Sequence, residues 1–118
     1  MPLYMVEFAY TPDAWATLAK HPEDRADAFG DLVRRAGGRL ESFYYTFGDY
    51  DGVVIIEVPD ENAAYGVTVA ANTPGHLRAI RTSRLFTVDE TNEVLKTAGA
   101  LPYRAPAPKV PFRGVAPG

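Results

Sequence analysis

The sequence predicts an α+β fold of the ferredoxin-like class, with elements in the order β-α-β-β-α-β. Two segments with apolar residues at helical spacing, 26–36 and 64–71, are interleaved with four β-prone runs. Right-handed crossovers then give a four-stranded antiparallel sheet in the order 4-1-3-2, with the helices on one face.

The first half of the chain supplies a strand and a two-part helix. Residues 3–10 alternate, with tyrosine, valine and phenylalanine at the even positions, which is the period of a strand. Thr11-Pro12-Asp13 has the composition of a helix start. Pro22 interrupts this helix, and the segment 21–24 starts it again, with His21 as a cap residue. Gly37-Gly38 ends it.

The second half supplies a hairpin, a helix and a fourth strand. Residues 40–47 and 53–58 are the hairpin strands, joined by a turn from Gly48 to Gly52 that needs a positive φ somewhere. Asp60 is the expected N-cap of the next helix, and residues 77–86 form the fourth strand. Residues 87–90, Thr-Val-Asp-Glu, form a capping box for a final short helix that Gly99 closes.

Composition predicts one cytoplasmic domain. The chain has 118 residues and no cysteine, so neither disulfides nor cysteine-bound metals are expected. The N-terminal segment lacks the basic region of a signal peptide, and no apolar run approaches the about 20 residues that span a bilayer. The net charge of −3 and the absence of a basic aromatic surface argue against nucleic-acid binding.

A boundary is expected near residue 98, so that residues 1–98 form the domain and 99–118 a proline-rich arm or tail. Residues 101–118 contain five of the ten prolines and cannot form a helix or an inner strand. A disordered tail is one interpretation. Its apolar residues favour an extended arm packed on this or another subunit; they are Tyr103, Val110, Phe112 and Val115.

The sheet face away from the helices predicts oligomerisation. By alternation it carries Met5 and Glu7 from the first strand and Val53, Ile55 and Glu57 from the third. This face is too apolar to remain in water. Two sheets packed face to face would cover it, which predicts a homodimer, or a higher homo-oligomer, built as a dimeric α/β barrel.

Several motifs together resemble the GYD-domain family. They are YxxxF and YTP in residues 4–12, PEDR at 22–25, GGRLESFYYTFGDYDGVVIIEVPDE at 37–61 and LFTVDE at 85–90. The resemblance covers residues 1–95, and Gly48, Tyr50 and Asp51 match the three residues that name the family. It implies a ferredoxin-like fold of the dimeric α/β-barrel kind, but no established activity and no catalytic residues.

The predicted topology brings three connections to one end of the sheet, and with them the candidate site. His76 and Asp51 are the candidate catalytic bases. The candidate ligand-binding residues are Tyr10, Trp15, Asp49, Tyr50, Glu7 and Arg81. Tyr50 is expected to cover the cleft, and it or Arg81 to stabilise developing negative charge. Asp51 is expected to accept hydrogen bonds from turn amides or from another residue at this end of the sheet, such as His76.

Each candidate also has a structural interpretation. The aspartates serve turns in many proteins, and the aromatic residues serve cores and interfaces. His76 is more typical of an exposed loop than of a catalytic site, and Glu7 with Arg81 is more typical of a buried ion pair in a dimer barrel. The two histidines lack metal-site spacing, so no metal is predicted, and no phosphate-binding loop or nucleophile elbow is present.

The function hypothesis is therefore a small dimer that binds a small, partly aromatic organic ligand between sheet and helices. It would act without a cofactor if it is an enzyme, which the architecture suggests only by analogy. The alternative is a non-enzymatic oligomerisation or regulatory module.

Overall fold

The computed structural model describes residues 1–107, which form eight helices and strands. They are β1 (Leu3–Tyr10), α1 (Pro12–Lys20), α2 (Arg25–Arg35), β2 (Arg39–Tyr45), β3 (Gly52–Glu57), α3 (Glu61–Asn72), β4 (Leu77–Leu85) and α4 (Val88–Gly99). The chain divides into two units, one of residues 1–86 and one that begins at Thr87. The predicted order of elements is confirmed, while the domain boundary near residue 98 stays a prediction.

In the described part of the chain the strands form one antiparallel sheet in the order β2-β3-β1-β4, which confirms the predicted order. Glu7 of β1 lies between Val53 of β3 and Arg81 of β4. β2 ends at Tyr45, two residues before its predicted end. Phe47 has a φ of 55°, and this left-handed conformation takes the chain out of the strand.

One face of the sheet packs against the helices and forms the core. Alternate residues of β1 and β3 meet Val33 of α2 and Ala64 and Val67 of α3. The buried strand residues are Tyr4, Val6, Phe8, Tyr10, Val54 and Ile56, each 7% exposed or less. Burial of these apolar side chains, at about 25 cal/mol per Å² of apolar surface, holds the helices on this face.

The helices begin where the sequence predicts, because each start has a side chain that caps a free backbone N–H. Thr11 Oγ1 accepts a hydrogen bond from the Ala14 N–H at 3.1 Å at the start of α1. Asp60 Oδ1 accepts from the Ala63 N–H at 2.9 Å at the start of α3. His21 lies at the end of α1, where its N–H donates to the Thr17 carbonyl.

The opposite face of the sheet carries no helix of the first unit. Leu3, Met5 and Glu7 of β1 alternate with the buried residues and are partly exposed, as are Val53 and Ile55 of β3. This set of residues is called the open face below. Glu57 of β3 is also partly exposed, so the aliphatic side chains and the two carboxylates, Glu7 and Glu57, agree with the surface that the sequence predicts.

Gly52 is required by close packing. A Cβ atom at this position would lie 2.2 Å from Cζ of Phe8, so any larger residue would displace that ring. The prediction of a positive φ within the turn from Gly48 to Gly52 is wrong, because no residue of this turn has one and the positive φ falls on Phe47 just before it. A Cβ at Gly48 would meet only the Tyr50 carbonyl, at 3.8 Å.

The second unit contains α4, whose predicted capping box is confirmed. Thr87 Oγ1 accepts from the Glu90 N–H at 3.0 Å, and Glu90 Oε1 accepts from the Thr87 N–H at 2.8 Å. Residues 101–107 form no helix or strand, and Tyr103 is 94% exposed. The predictions for the apolar residues at 110, 112 and 115 lie outside the described residues. Within residues 1–107 no helix is long and apolar enough to cross a membrane.

Candidate functional site

Four of the candidate residues come together at one end of the sheet. Tyr10 ends β1, Trp15 lies in α1, Asp51 precedes β3 and His76 precedes β4. The Tyr10 ring centroid is 5.0 Å from that of Trp15 and 6.0 Å from that of His76. The Thr11 N–H donates to the His76 carbonyl at 2.9 Å, which fixes the loop before β4 against the end of β1.

Asp51 is a buried carboxylate that joins three segments. Its side chain is 8% exposed, and Oδ2 accepts hydrogen bonds from the Tyr10 N–H at 2.8 Å and from the Trp15 Nε1–H at 3.1 Å. The Asp51 N–H donates to the Phe8 carbonyl at 2.7 Å. The prediction that Asp51 accepts hydrogen bonds from turn amides or from another residue at this end of the sheet is confirmed in its second form, with Tyr10 and Trp15 as the donors rather than His76. Asp51 extends the β1–β3 ladder past the start of β3, so its donors come from β1 and α1.

Aromatic rings pack around Trp15, whose indole donates to this carboxylate. Phe47 stacks on Trp15 at 5.8 Å and on Tyr45 at 6.1 Å between centroids, with interplanar angles of 27° and 20°. A bulky residue with positive φ is strained by about 1–3 kcal/mol, so its surroundings must hold it there. These two ring contacts, together with the Thr46 N–H bond to the Asp51 carbonyl at 2.8 Å, fix the loop in that conformation.

Two neighbouring spaces lie beside this cluster and share three lining residues. The inner cavity, of about 30 Å³, has almost entirely apolar walls. The outer pocket is more open and has a volume of about 430 Å³. Tyr10, Arg25 and His76 line both, and therefore form the mouth between them. The remaining inner walls are Val6, Phe8, Phe29, Phe43, Ala71, Leu77 and Ile80.

The two ionisable rings at the mouth are held in their neutral forms. Burial raises the pKa of the Tyr10 hydroxyl well above its usual value, and the Tyr45 hydroxyl, at 3.4 Å, adds to this shift. Burial also lowers the pKa of His76, and the positive charge of Arg25 lowers it further. Near neutral pH the mouth therefore offers a phenol that can donate and an imidazole that can accept a proton.

Arg25 lies at the mouth, but the sequence did not predict it as a functional residue. It is the first residue of α2, its side chain is 28% exposed, and Nη1 lies 3.3 Å from Glu23 Oε2. The only signal in the sequence is its place in the PEDR segment that opens the helix. An arginine at a helix start is typically solvent-facing, so its position at the mouth depends on how α2 packs on the sheet.

The remaining candidates lie away from the mouth. Arg81 Nη2 contacts Glu7 Oε1 at 2.6 Å on the open face, which confirms the predicted pair. The Arg81 guanidinium carbon is 5.2 Å from the ring centroid of Tyr50, so the expectation that Tyr50 covers the cleft is wrong. Asp49 is exposed, and its carbonyl accepts from Arg78 Nη2 at 3.3 Å.

In the described residues, 1–107, no three His, Cys, Asp or Glu side chains are grouped so that they could hold a metal ion.

We expect Asp51→Ala to lower the free energy of unfolding by about 1–3 kcal/mol, because it leaves the buried Tyr10 N–H without an acceptor. Asp51→Asn keeps a carbonyl oxygen for the same donors and should cost less. Urea denaturation of both variants measures the difference. Wild-type stability in Asp51→Ala would show that the two hydrogen bonds do not hold this end of the sheet.

We expect His76 to titrate below the usual histidine pKa of about 6.5. Arg25→Gln should move this titration midpoint upward, because it removes the positive charge that is one of the two causes of the lowered pKa. Because the folded state favours the neutral imidazole, stability should fall as the pH drops below about 6.5. NMR titration of the imidazole resonances measures the midpoint, with His21 as the internal reference signal. A midpoint at or above 6.5 would contradict the burial of His76 at the mouth.

Comparisons with known proteins agree with this architecture. A model of the GYD domain matches residues 4–95. No curated protein matches the sequence. The crystal structure of MtbAldR is similar to this chain, with a TM-score of 0.53 and 14% sequence identity. The match covers 73% of this chain and 53% of MtbAldR, so this chain spans about half the length of MtbAldR. The crystal structure of TTHA0845 from Thermus thermophilus has a TM-score of 0.49 and 16% identity, over 75% and 96% of the chains. With its family model matched over most of its length, the chain belongs to the GYD domain family.

Proposed function

We propose that this protein is a cytoplasmic homodimer that binds a small, partly aromatic organic molecule in the cleft between its sheet and its helices. The observation that carries this proposal is the outer pocket of about 430 Å³, where Tyr10, Arg25 and His76 lie beside the apolar inner cavity. Ligand sites in proteins combine apolar walls with a few converging polar groups in this way.

The walls suit a ligand with an aromatic or other flat apolar part. Phe8, Phe29 and Phe43 contribute three rings to the inner cavity. Phe8 and Phe43 have centroids 5.5 Å apart at an angle of 55°, and Phe29 meets Phe43 edge to face at 6.5 Å. Such rings attract another ring through offset or edge contacts. The outer pocket, at about 430 Å³, lies within the roughly 300–1,000 Å³ of ligand sites.

The groups at the mouth would also support cofactor-independent chemistry. A neutral His76 can accept a proton from a bound carbon or oxygen acid, and Arg25 and the Tyr10 hydroxyl can stabilise the negative charge that develops. His76 is therefore the candidate base. Asp51, which does not line either space, acts in this proposal by holding Tyr10 in place.

A non-enzymatic oligomerisation or regulatory module is the second candidate, and the open face favours it. Leu3, Met5, Val53 and Ile55 form an aliphatic surface on β1 and β3 that a second copy of the chain would bury. Native mass spectrometry separates the two functions. A small molecule retained by the purified dimer favours ligand binding, and larger defined oligomers without one favour the module.

We expect Ala71→Phe to abolish this retained ligand, because the added ring is larger than the inner cavity of about 30 Å³ that Ala71 lines and would extend past its mouth into the outer pocket. Ala70→Phe is the matched control, since Ala70 is the exposed neighbour on α3. Native mass spectra of the variants and the parent give the fraction of protein with a bound small molecule, and circular dichroism confirms folding. Ala71→Leu provides a smaller filling group if the phenylalanine disturbs α3.

The proposal would be wrong if the parent retains no small molecule from the cell. It would also be wrong if Ala70→Phe and Ala71→Phe retain the same fraction as the parent, because the ligand would then lie elsewhere.

A further inference from the structure

The charge of the cleft is simple enough to indicate the charge of its ligand. Among the described residues that line the inner cavity, Arg25 alone carries a full charge at neutral pH. The outer pocket adds a single acid, Glu23. The buried carboxylate of Asp51 lines neither space, and both of its recorded hydrogen bonds come from N–H groups.

The ionic partner of Arg25 within residues 1–107 is weak. Glu23 approaches Arg25 Nη1 at 3.3 Å, and its own side chain is 56% exposed. Exposed pairs of this kind contribute little, because water and salt screen them. A guanidinium has five N–H donors, so Arg25 keeps most of its donor capacity for a ligand.

We propose that the ligand carries an anionic oxygen group, a carboxylate or a phenolate, which Arg25 binds at the mouth while the apolar body of the ligand lies in the outer pocket. This inference rests on the proposed function and adds the chemical class of the ligand. The Tyr10 hydroxyl and the Arg25 guanidinium then donate to the same oxygen group. Charged hydrogen bonds between arginine and such oxygens are the stronger kind, and planar groups suit the arginine fork.

The protonation states of the Tyr10 hydroxyl and the His76 imidazole agree with an anionic ligand. The raised pKa of Tyr10 keeps a proton on the hydroxyl, so it can donate to the ligand oxygen and does not repel it. The imidazole of His76 has no hydrogen-bond partner among the described residues. It therefore remains available to the ligand on the other side of the mouth.

Matched probes of equal shape and different charge test the inference. Benzoate and benzamide differ in charge but not in outline, and cinnamate and cinnamamide repeat the comparison with a longer body. The pair 4-nitrophenolate and 4-nitroanisole, at a pH where the phenol is ionised, distinguishes a phenolate from a carboxylate site. Dissociation constants come from NMR titrations of the full-length protein, with the shifts of residues 10, 25 and 76 as the readout.

Four variants separate the charge of Arg25 from general effects. Arg25→Gln should weaken binding of the acids by about tenfold or more and leave the neutral probes unchanged. Arg25→Lys keeps the charge and should restore part of the affinity. Arg34→Gln, in the exposed last turn of the same helix, is the matched control and should change nothing. Glu23→Gln removes the competing carboxylate and should tighten acid binding by about two- to fivefold.

The outcomes distinguish this inference from the function on which it rests. Equal affinity of acids and neutral probes for the parent, or equal losses in Arg25→Gln and Arg34→Gln, would overturn the anionic class and leave the binding function intact. Weaker acid binding in Glu23→Gln would also overturn it. Failure of every probe, charged or neutral, to shift residues of the mouth would overturn the binding function, and the anionic class with it.

Discussion

The paired hydrogen bonds of Asp51 are the constraint on which this end of the molecule depends. The Asp51 N–H donates to the Phe8 carbonyl, and its carboxylate accepts from the Tyr10 N–H, so that one residue continues the ladder of β1 and β3 past the start of β3. The same oxygen holds the indole of Trp15 and thereby α1. A buried carboxylate is costly without donors, and two N–H groups supply them here. Tyr10 is fixed by its backbone, which places its hydroxyl at the mouth of the inner cavity.

The turn that names the family thus serves both faces of the sheet. Asp51 lies on the helix side, where it supports the mouth formed by Tyr10, Arg25 and His76. Tyr50 lies over Arg81, whose guanidinium is paired with Glu7 on the open face. The adjacent residues of one turn can therefore support a ligand cleft on one side and a subunit contact on the other. This arrangement would couple the two proposed properties of the protein, ligand binding and dimerisation, through a short rigid segment.

Local patterns in the sequence predict much of this structure, but they do not predict the contacts that long side chains make. The caps at Thr11, Asp60 and Thr87 follow from short-range chemistry, and the Glu7–Arg81 pair follows from strand alternation and antiparallel register. Arg25 could not be placed, because its reach into the cleft depends on the packing of α2. The donors to Asp51 come from positions 36 and 41 residues away, and no local pattern specifies them.

Residue-resolved amide hydrogen exchange of the full-length protein tests the Asp51 anchor most directly. If the carboxylate holds Tyr10, its amide should exchange as slowly as the central amides of β1, although Tyr10 is the last residue of the strand. The indole N–H of Trp15 should be protected with it. Exchange of the Tyr10 amide as fast as that of the exposed turn at Asp49 would contradict the anchor, and with it the fixed position of Tyr10 at the mouth.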